Sequence, residues 1–207
     1  MILRIEHSRW VVGEWAVLLL VVFYHGGLTF EDVESGFGTN ALVMIAVTFL
    51  GVFLYDALYK SGLASNVRVV TIISFVLIGA VVYLMKEWAG FSYRSVNIHL
   101  GALFGTNMAF NVWFRIWPAQ QKIITAIKGG EAPDGDLVAL AGLRSKHNTY
   151  MSVPLIWTMI NQHTESLAGG NFGVTDATNW VPLMVMVAVG WHVVWQLYKK
   201  SAKVQGM

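Results

Sequence analysis

Residues 67–88 read VRVVTIISFVLIGAVVYLMKEW, an apolar run with charged residues only near its two ends. A helix of about 20 mostly apolar residues is long enough to cross the hydrocarbon core of a bilayer. This stretch therefore predicts a transmembrane helix.

Five further runs have similar length and composition. With the first, they predict helices over about 10–28, 41–59, 67–88, 97–117, 147–163 and 180–198. The run at 147–163 is short, contains Pro154 and is polar at both ends, which fits a helix buried inside a bundle. With 56% hydrophobic and 13% charged residues, the sequence predicts an all-α fold. We expect a single polytopic transmembrane bundle of about six helices over residues 1–207.

The distribution of basic residues predicts the orientation of this bundle. Six crossings put both termini on the same side, and the termini and connections on that side together carry twelve of the 14 Lys and Arg residues. Because basic residues accumulate on the cytoplasmic side, we expect both termini to be cytoplasmic. The 118–146 connection, with turn signals at Gly129-Gly130 and Pro133-Asp134-Gly135, is then a cytoplasmic loop.

Composition also excludes several kinds of site. The chain has no cysteine, so it contains no disulfide, thiolate metal site or covalently attached c-type haem. The formal net charge of only +2 gives no basis for nucleic acid binding. No nucleophile triad, phosphate loop or nucleotide fingerprint is present. A metal or haem would have to be held by His, Met or oxygen ligands, and the one partner that composition implies is membrane lipid.

Five histidines sort into two sets by predicted depth. His25, His99 and His163 fall near the external ends of three helices, whereas His147 and His192 fall nearer the cytoplasm. A six-coordinate b-type haem needs two histidines that face each other across a bundle. A pair from the external set could hold one haem, with His99 and His163 as its iron ligands, and the internal pair a second. The alternative is that each histidine satisfies a buried carbonyl or lies at a wet interface.

The positions of other polar residues in the predicted helices suggest structural roles. Asn107 and Asn111 are four residues apart, so they share one helix face and could bond to another helix or to a ligand. Asp56 is expected to pair with Arg or Lys. Arg144 and Lys146 have the position of cytoplasmic anchors.

Gly101 and Gly105 form a small-xxx-small pattern within the 97–117 run. Such a pattern permits close approach of a neighbouring helix, which we favour, or of a flat cofactor.

Several spaced motifs resemble the N-terminal membrane domain of bacterial membrane-bound urate hydroxylases, also called the urate oxidase N-terminal domain. They are Tyr55-Asp56 with Lys60-Ser61, His99-Leu-Gly-Ala, Asn111-Val112 with Pro118 and Gln120, Gly130-x-x-Pro133-Asp134, Arg144-Ser-x-His147-Asn148, and Pro154 with Met159. The likeness covers most of the chain and is densest between residues 99 and 163. The sequence shows no counterpart of the cytochrome c domain that is joined to this domain in the family.

The resemblance implies a domain of the bacterial inner membrane that is associated with electron transfer. It marks His99, His147, His163 and His192 as family-like histidines, and Asn111, Gln120, Arg144 and Asn148 as family-like polar residues. We expect a haem b electron-transfer protein, with a separate c-type cytochrome and other membrane subunits as partners. The alternatives are a non-catalytic accessory subunit of a larger complex and a urate-oxidising oxidoreductase subunit.

Overall fold

A computed structural model describes residues 38–161, 175 and 178–203. Within these ranges every regular element is helical, which confirms the all-α prediction. The helices are α1 (Thr39–Lys60), α2 (Val67–Tyr83), α3 (Tyr93–Asn111), α4 (Trp117–Lys128), α5 (Gly135–Asn161) and α6 (Trp180–Ser201). π-helical turns follow α2 at Leu84–Trp88 and α3 at Val112–Ile116, and a short 3₁₀ segment spans Gly62–Ser65.

Three helices are long and apolar enough to cross a membrane, which marks the chain as a membrane protein. They are Thr39–Lys60, Val67–Trp88 and Trp180–Ser201, close to the predicted runs at 41–59, 67–88 and 180–198. The predicted run at 10–28 lies outside the described residues. The run at 97–117 and the described part of the run at 147–163, residues 147–161, are helical but less apolar, because buried polar side chains such as Asn97, Asn111 and Asn161 interrupt them.

The central pair of helices is α3 and α5, which run antiparallel. Asn161 at the end of α5 donates to Tyr93 at the start of α3, and Asn148 bonds Asn111 at the other end of α3. Helix α1 packs against α3, and α6 packs against α5. A core of apolar side chains from α1, α2, α3, α5 and α6 fills the space between them. It includes the fully buried Phe104 of α3 and Phe91 from the connection before α3.

The predicted 118–146 loop is wrong in extent. Only 129–134 is non-helical, with Gly130 at φ 75°, because α4 begins at Trp117 and α5 begins at Gly135. Pro118 does not interrupt the helix, because it lies in the first turn of α4, where a missing N–H is tolerated. Ala119 and Ile123 of α4 pack against Ala141 of α5, so the two segments form a helical hairpin.

The two glycines of α3 have different surroundings. A Cβ on Gly101 would lie 2.8 Å from Thr158 Oγ1 on α5, whereas a Cβ on Gly105 would meet nothing within 4 Å. Gly101 therefore permits the close approach of a neighbouring helix, which is the interpretation that the sequence favoured.

We expect Gly101→Ala to destabilise the bundle by about 1–3 kcal/mol, because the added methyl group forces Thr158 to move. Gly105→Ala is the matched control and should change stability by no more than about 1 kcal/mol. Reversible unfolding of the detergent-solubilised variants measures both. Equal effects of the two substitutions would contradict this packing.

Candidate functional site

Four charged side chains meet near the end of α1 that carries Lys60. Asp56 Oδ2 lies 2.9 Å from Lys60 Nζ, and Asp56 Oδ1 accepts from Arg144 Nη2 at 3.0 Å. Arg115 forms a two-pronged contact, donating from Nε at 2.9 Å and from Nη2 to the same carboxylate. We call Asp56, Lys60, Arg115 and Arg144 the arginine cluster. It ties α1 to α5 and to the π-helical turn after α3.

A proline helps to position Arg115. Pro118 has no N–H to offer the carbonyl of Phe114, four residues earlier. That carbonyl instead accepts from Arg115 Nη1 at 3.3 Å. The Phe114 carbonyl thus binds Nη1 of the Arg115 guanidinium, while Nε and Nη2 bind Asp56.

Arg144 is the most deeply buried member of the cluster, with a side chain only 2% exposed. Its guanidinium lies over the rings of Tyr55 and Tyr59, with 5.3 and 5.9 Å between its Cζ atom and the ring centroids. Asn111 Oδ1 is 3.5 Å from Nη1, and Nε has no hydrogen-bond partner among the described residues. Arg144, which the sequence predicted to be a cytoplasmic anchor, therefore lies in the protein interior as part of a buried site.

A hydrogen-bond network of neutral groups adjoins the cluster. Asn111 Nδ2 donates to Tyr55 Oη and to Asn148 Oδ1, both at 2.8 Å. Tyr55 Oη is 2.8 Å from His147 Nδ1, and Asn148 Nδ2 donates to the carbonyl of Met108. Because Tyr55 accepts from Asn111, its own hydroxyl proton is available to His147 Nδ1. The network joins α1, α3 and α5 and places His147, Asn111, Arg144 and Asn148 in one site.

We expect Tyr55→Phe to cost about 1–3 kcal/mol, because it leaves His147 Nδ1 and an Asn111 N–H without a partner in a buried place. Tyr83→Phe is the matched control, since Tyr83 is exposed and its hydroxyl makes no hydrogen bond within the described ranges. Unfolding midpoints in detergent measure the difference. A Tyr55→Phe protein as stable as the control would show that the hydrogen bonds of Tyr55 do not stabilise the fold.

His99 lies at the opposite end of α3 and is buried. Its Nδ1 is 2.8 Å from the carbonyl oxygen of Ser95 and 3.1 Å from the Ser95 hydroxyl. The Phe91 ring packs against the imidazole at 4.7 Å between centroids. A donor at Nδ1 leaves the lone pair of the neutral ring on Nε2, which is the tautomer that binds a metal through Nε2.

Around His99, three polar side chains fasten α5 to α3. Asn161 Nδ2 donates to Tyr93 Oη at 2.7 Å and to Asn97 Oδ1 at 2.9 Å, and Asn97 Nδ2 donates to the Tyr93 carbonyl. All three side chains are buried. The end of α5 is thus fixed beside the turn of α3 that carries His99.

The remaining predicted site residues are not in these networks. His192 is exposed on α6, contacts Gln196 and Trp195, and makes no contact with His147. Gln120 is half-buried on α4 and makes no side-chain hydrogen bond within the part of the chain that the structure describes. His25 and His163 lie outside the described residues.

Sequence reasoning missed the convergence of Arg115 and Tyr55 on this site. Two signals could have found it. Asp56 is a lone carboxylate on an apolar helix and needs a cation. Arg144 and Asn148, four residues apart, must share a helix face.

Among the described residues, these features define a helical membrane protein in which buried polar side chains form two networks, one at each end of a central antiparallel helix pair. The chain belongs to the family described as urate oxidase N-terminal, whose model matches residues 6–206, nearly the whole chain. The resemblance inferred from the motifs is thereby confirmed, and it relates the chain to the membrane domain of urate hydroxylases. Neither the curated proteins nor the solved structures gave a match.

Proposed function

We propose that this chain is an electron-transfer domain of the bacterial inner membrane that holds a b-type haem at the His99 end of α3. The observation that supports this proposal is the fixed orientation of the His99 imidazole. Ser95 fixes the ring through Nδ1, and a haem-ligating histidine commonly donates its second nitrogen to a backbone carbonyl in this way.

The packing of α5 supports a second ligand from the same end of the bundle. Asn161 contacts Asn97, which is two residues before His99 in the sequence, and His163 is two residues after Asn161. We propose His163 as the partner ligand, with His25 as the alternative. His192 is exposed on α6, and His147 Nδ1 is held by Tyr55 Oη in the other network, so we propose one haem, at the His99 end.

Three residues at the His99 end of α3 would hold the haem or shape its site. His99 would bind iron through Nε2, Ser95 would hold the ring orientation, and Phe91 would exclude water from one face of the imidazole. One-electron transfer through iron is the chemistry that the bound group supplies. The electrons would pass to or from a separate c-type cytochrome or a larger respiratory complex.

A reduced-minus-oxidised absorption spectrum of the purified full chain tests this function. We expect a Soret band and α and β bands of a low-spin b-type haem, with reoxidation by an added c-type cytochrome. Reduction of the haem by urate would assign the chain to the urate-oxidising alternative. A protein without haem would overturn the proposal in favour of the accessory-subunit alternative.

A further inference from the structure

The arginine cluster carries more positive than negative charge. Three cations, Lys60, Arg115 and Arg144, surround one carboxylate, Asp56, and no second carboxylate pairs with them among the described residues. Basic residues near the membrane surface attract anionic lipid headgroups. We propose that the outer edge of this cluster, formed by Lys60 and Arg115, binds the phosphate of an anionic phospholipid.

The donors that such a phosphate needs are available at this edge. Lys60 uses one of its three N–H groups on Asp56, and Arg115 uses three of its five on Asp56 and the Phe114 carbonyl. Their side chains are 57% and 23% exposed, so a ligand can reach them. Arg144, in contrast, is enclosed. The negative charge of the phosphate would stabilise the buried guanidinium, whose Nε has no hydrogen-bond partner among the described residues, without contacting it.

The depth of the cluster matches a lipid headgroup. Lys60 is the last residue of a helix that is long and apolar enough to span the membrane, and Asp56 is one turn earlier. The charge count also predicts the cytoplasmic side for this end, where anionic lipids give the membrane a negative surface.

An exposed aromatic strip leads from the cluster along the hydrophobic surface. Phe53 and Phe114 are both more than half exposed, and each packs against Phe110, at 6.2 and 4.9 Å between centroids. The Arg115 guanidinium lies 5.4 Å from the Phe110 ring centroid. Because charged donors adjoin an apolar strip, the surface fits a phosphate with an acyl chain attached better than a free phosphate.

Lipid titration of the delipidated full chain in detergent tests the proposal, with the shift in unfolding temperature as the readout. The probes are phosphatidylglycerol, phosphatidylcholine and inorganic phosphate. We expect phosphatidylglycerol to stabilise the protein at lower concentrations than phosphatidylcholine. Lys60→Gln should weaken the apparent affinity for phosphatidylglycerol about fivefold, since one basic residue near the surface is worth about 1 kcal/mol.

Lys122→Gln is the matched control, because Lys122 is exposed on α4 and forms no ion pair within the described ranges. It should bind phosphatidylglycerol as the unmodified protein does. Phe114→Ala should weaken the response to phosphatidylglycerol and leave that to inorganic phosphate unchanged. The proposal is overturned by equal responses to the two lipids, by equal losses in Lys60→Gln and Lys122→Gln, or by an inorganic phosphate response as strong as that to phosphatidylglycerol.

Discussion

Asp56→Asn is expected to destabilise the folded chain by about 3–5 kcal/mol, the usual cost of removing one partner from a buried ion pair. The substitution removes the carboxylate that Arg115 and Arg144 share and leaves an enclosed guanidinium without a counter-charge. The free energy of unfolding in detergent measures the loss. Asp136→Asn, at an exposed position in the first turn of α5, is the control and should cost no more than about 1 kcal/mol.

A second substitution separates an electrostatic effect from a general packing effect. Combining Asp56→Asn with Arg144→Met removes both charges, so the double variant should be less destabilised than the sum of the two single variants. Additive losses would mean that Asp56 and Arg144 do not act as a pair, contrary to the 3.0 Å contact between them.

His99→Ala is expected to abolish haem binding if the proposed function holds. Loss of the ligand should reduce haem occupancy at least about tenfold, because changes that only affect the orientation of a ligand already cost 10–100-fold in metal affinity. Haem per chain in the purified protein is the measurement. His192→Ala is the control, since His192 is exposed and contacts only its own helix. Retention of haem in His99→Ala, or its loss in His192→Ala, would refute the assignment of His99 as the ligand.

The most apolar helices were predicted to within a few residues. The runs at 41–59, 67–88 and 180–198 correspond to spans of Thr39–Lys60, Val67–Trp88 and Trp180–Ser201. A long apolar run specifies such a helix by itself, because the backbone must satisfy its own hydrogen bonds where no water is available.

The hairpin of α4 and α5 could not be predicted by the same criterion. Helix α4 is amphipathic and buries a narrow stripe of Ala119 and Ile123, which packs against Ala141 of α5. A search for continuous apolar residues finds no such stripe. The glycine and proline turn signals at 129–135 were correct, but they mark a short turn and not a long loop.

Part of the candidate site was predictable in its residues, but its contacts were not. Asn111, Arg144, His147 and Asn148 were selected from the sequence, and all four lie in one network. The expected pairing of Asp56 with Arg or Lys is confirmed. That Arg144 is buried over two tyrosine rings depends on the register between α5 and α1, which local sequence does not encode.

The haem content of the purified chain is the decisive test of whether this domain holds a b-type haem. A pyridine extract of the detergent-purified full chain, with protein measured by amino-acid analysis, gives the number of haems per polypeptide. We expect about one non-covalently held haem b per chain, with two axial histidines as its ligands. A preparation that is folded, binds no haem when haem is supplied, and shows no Soret band would contradict it.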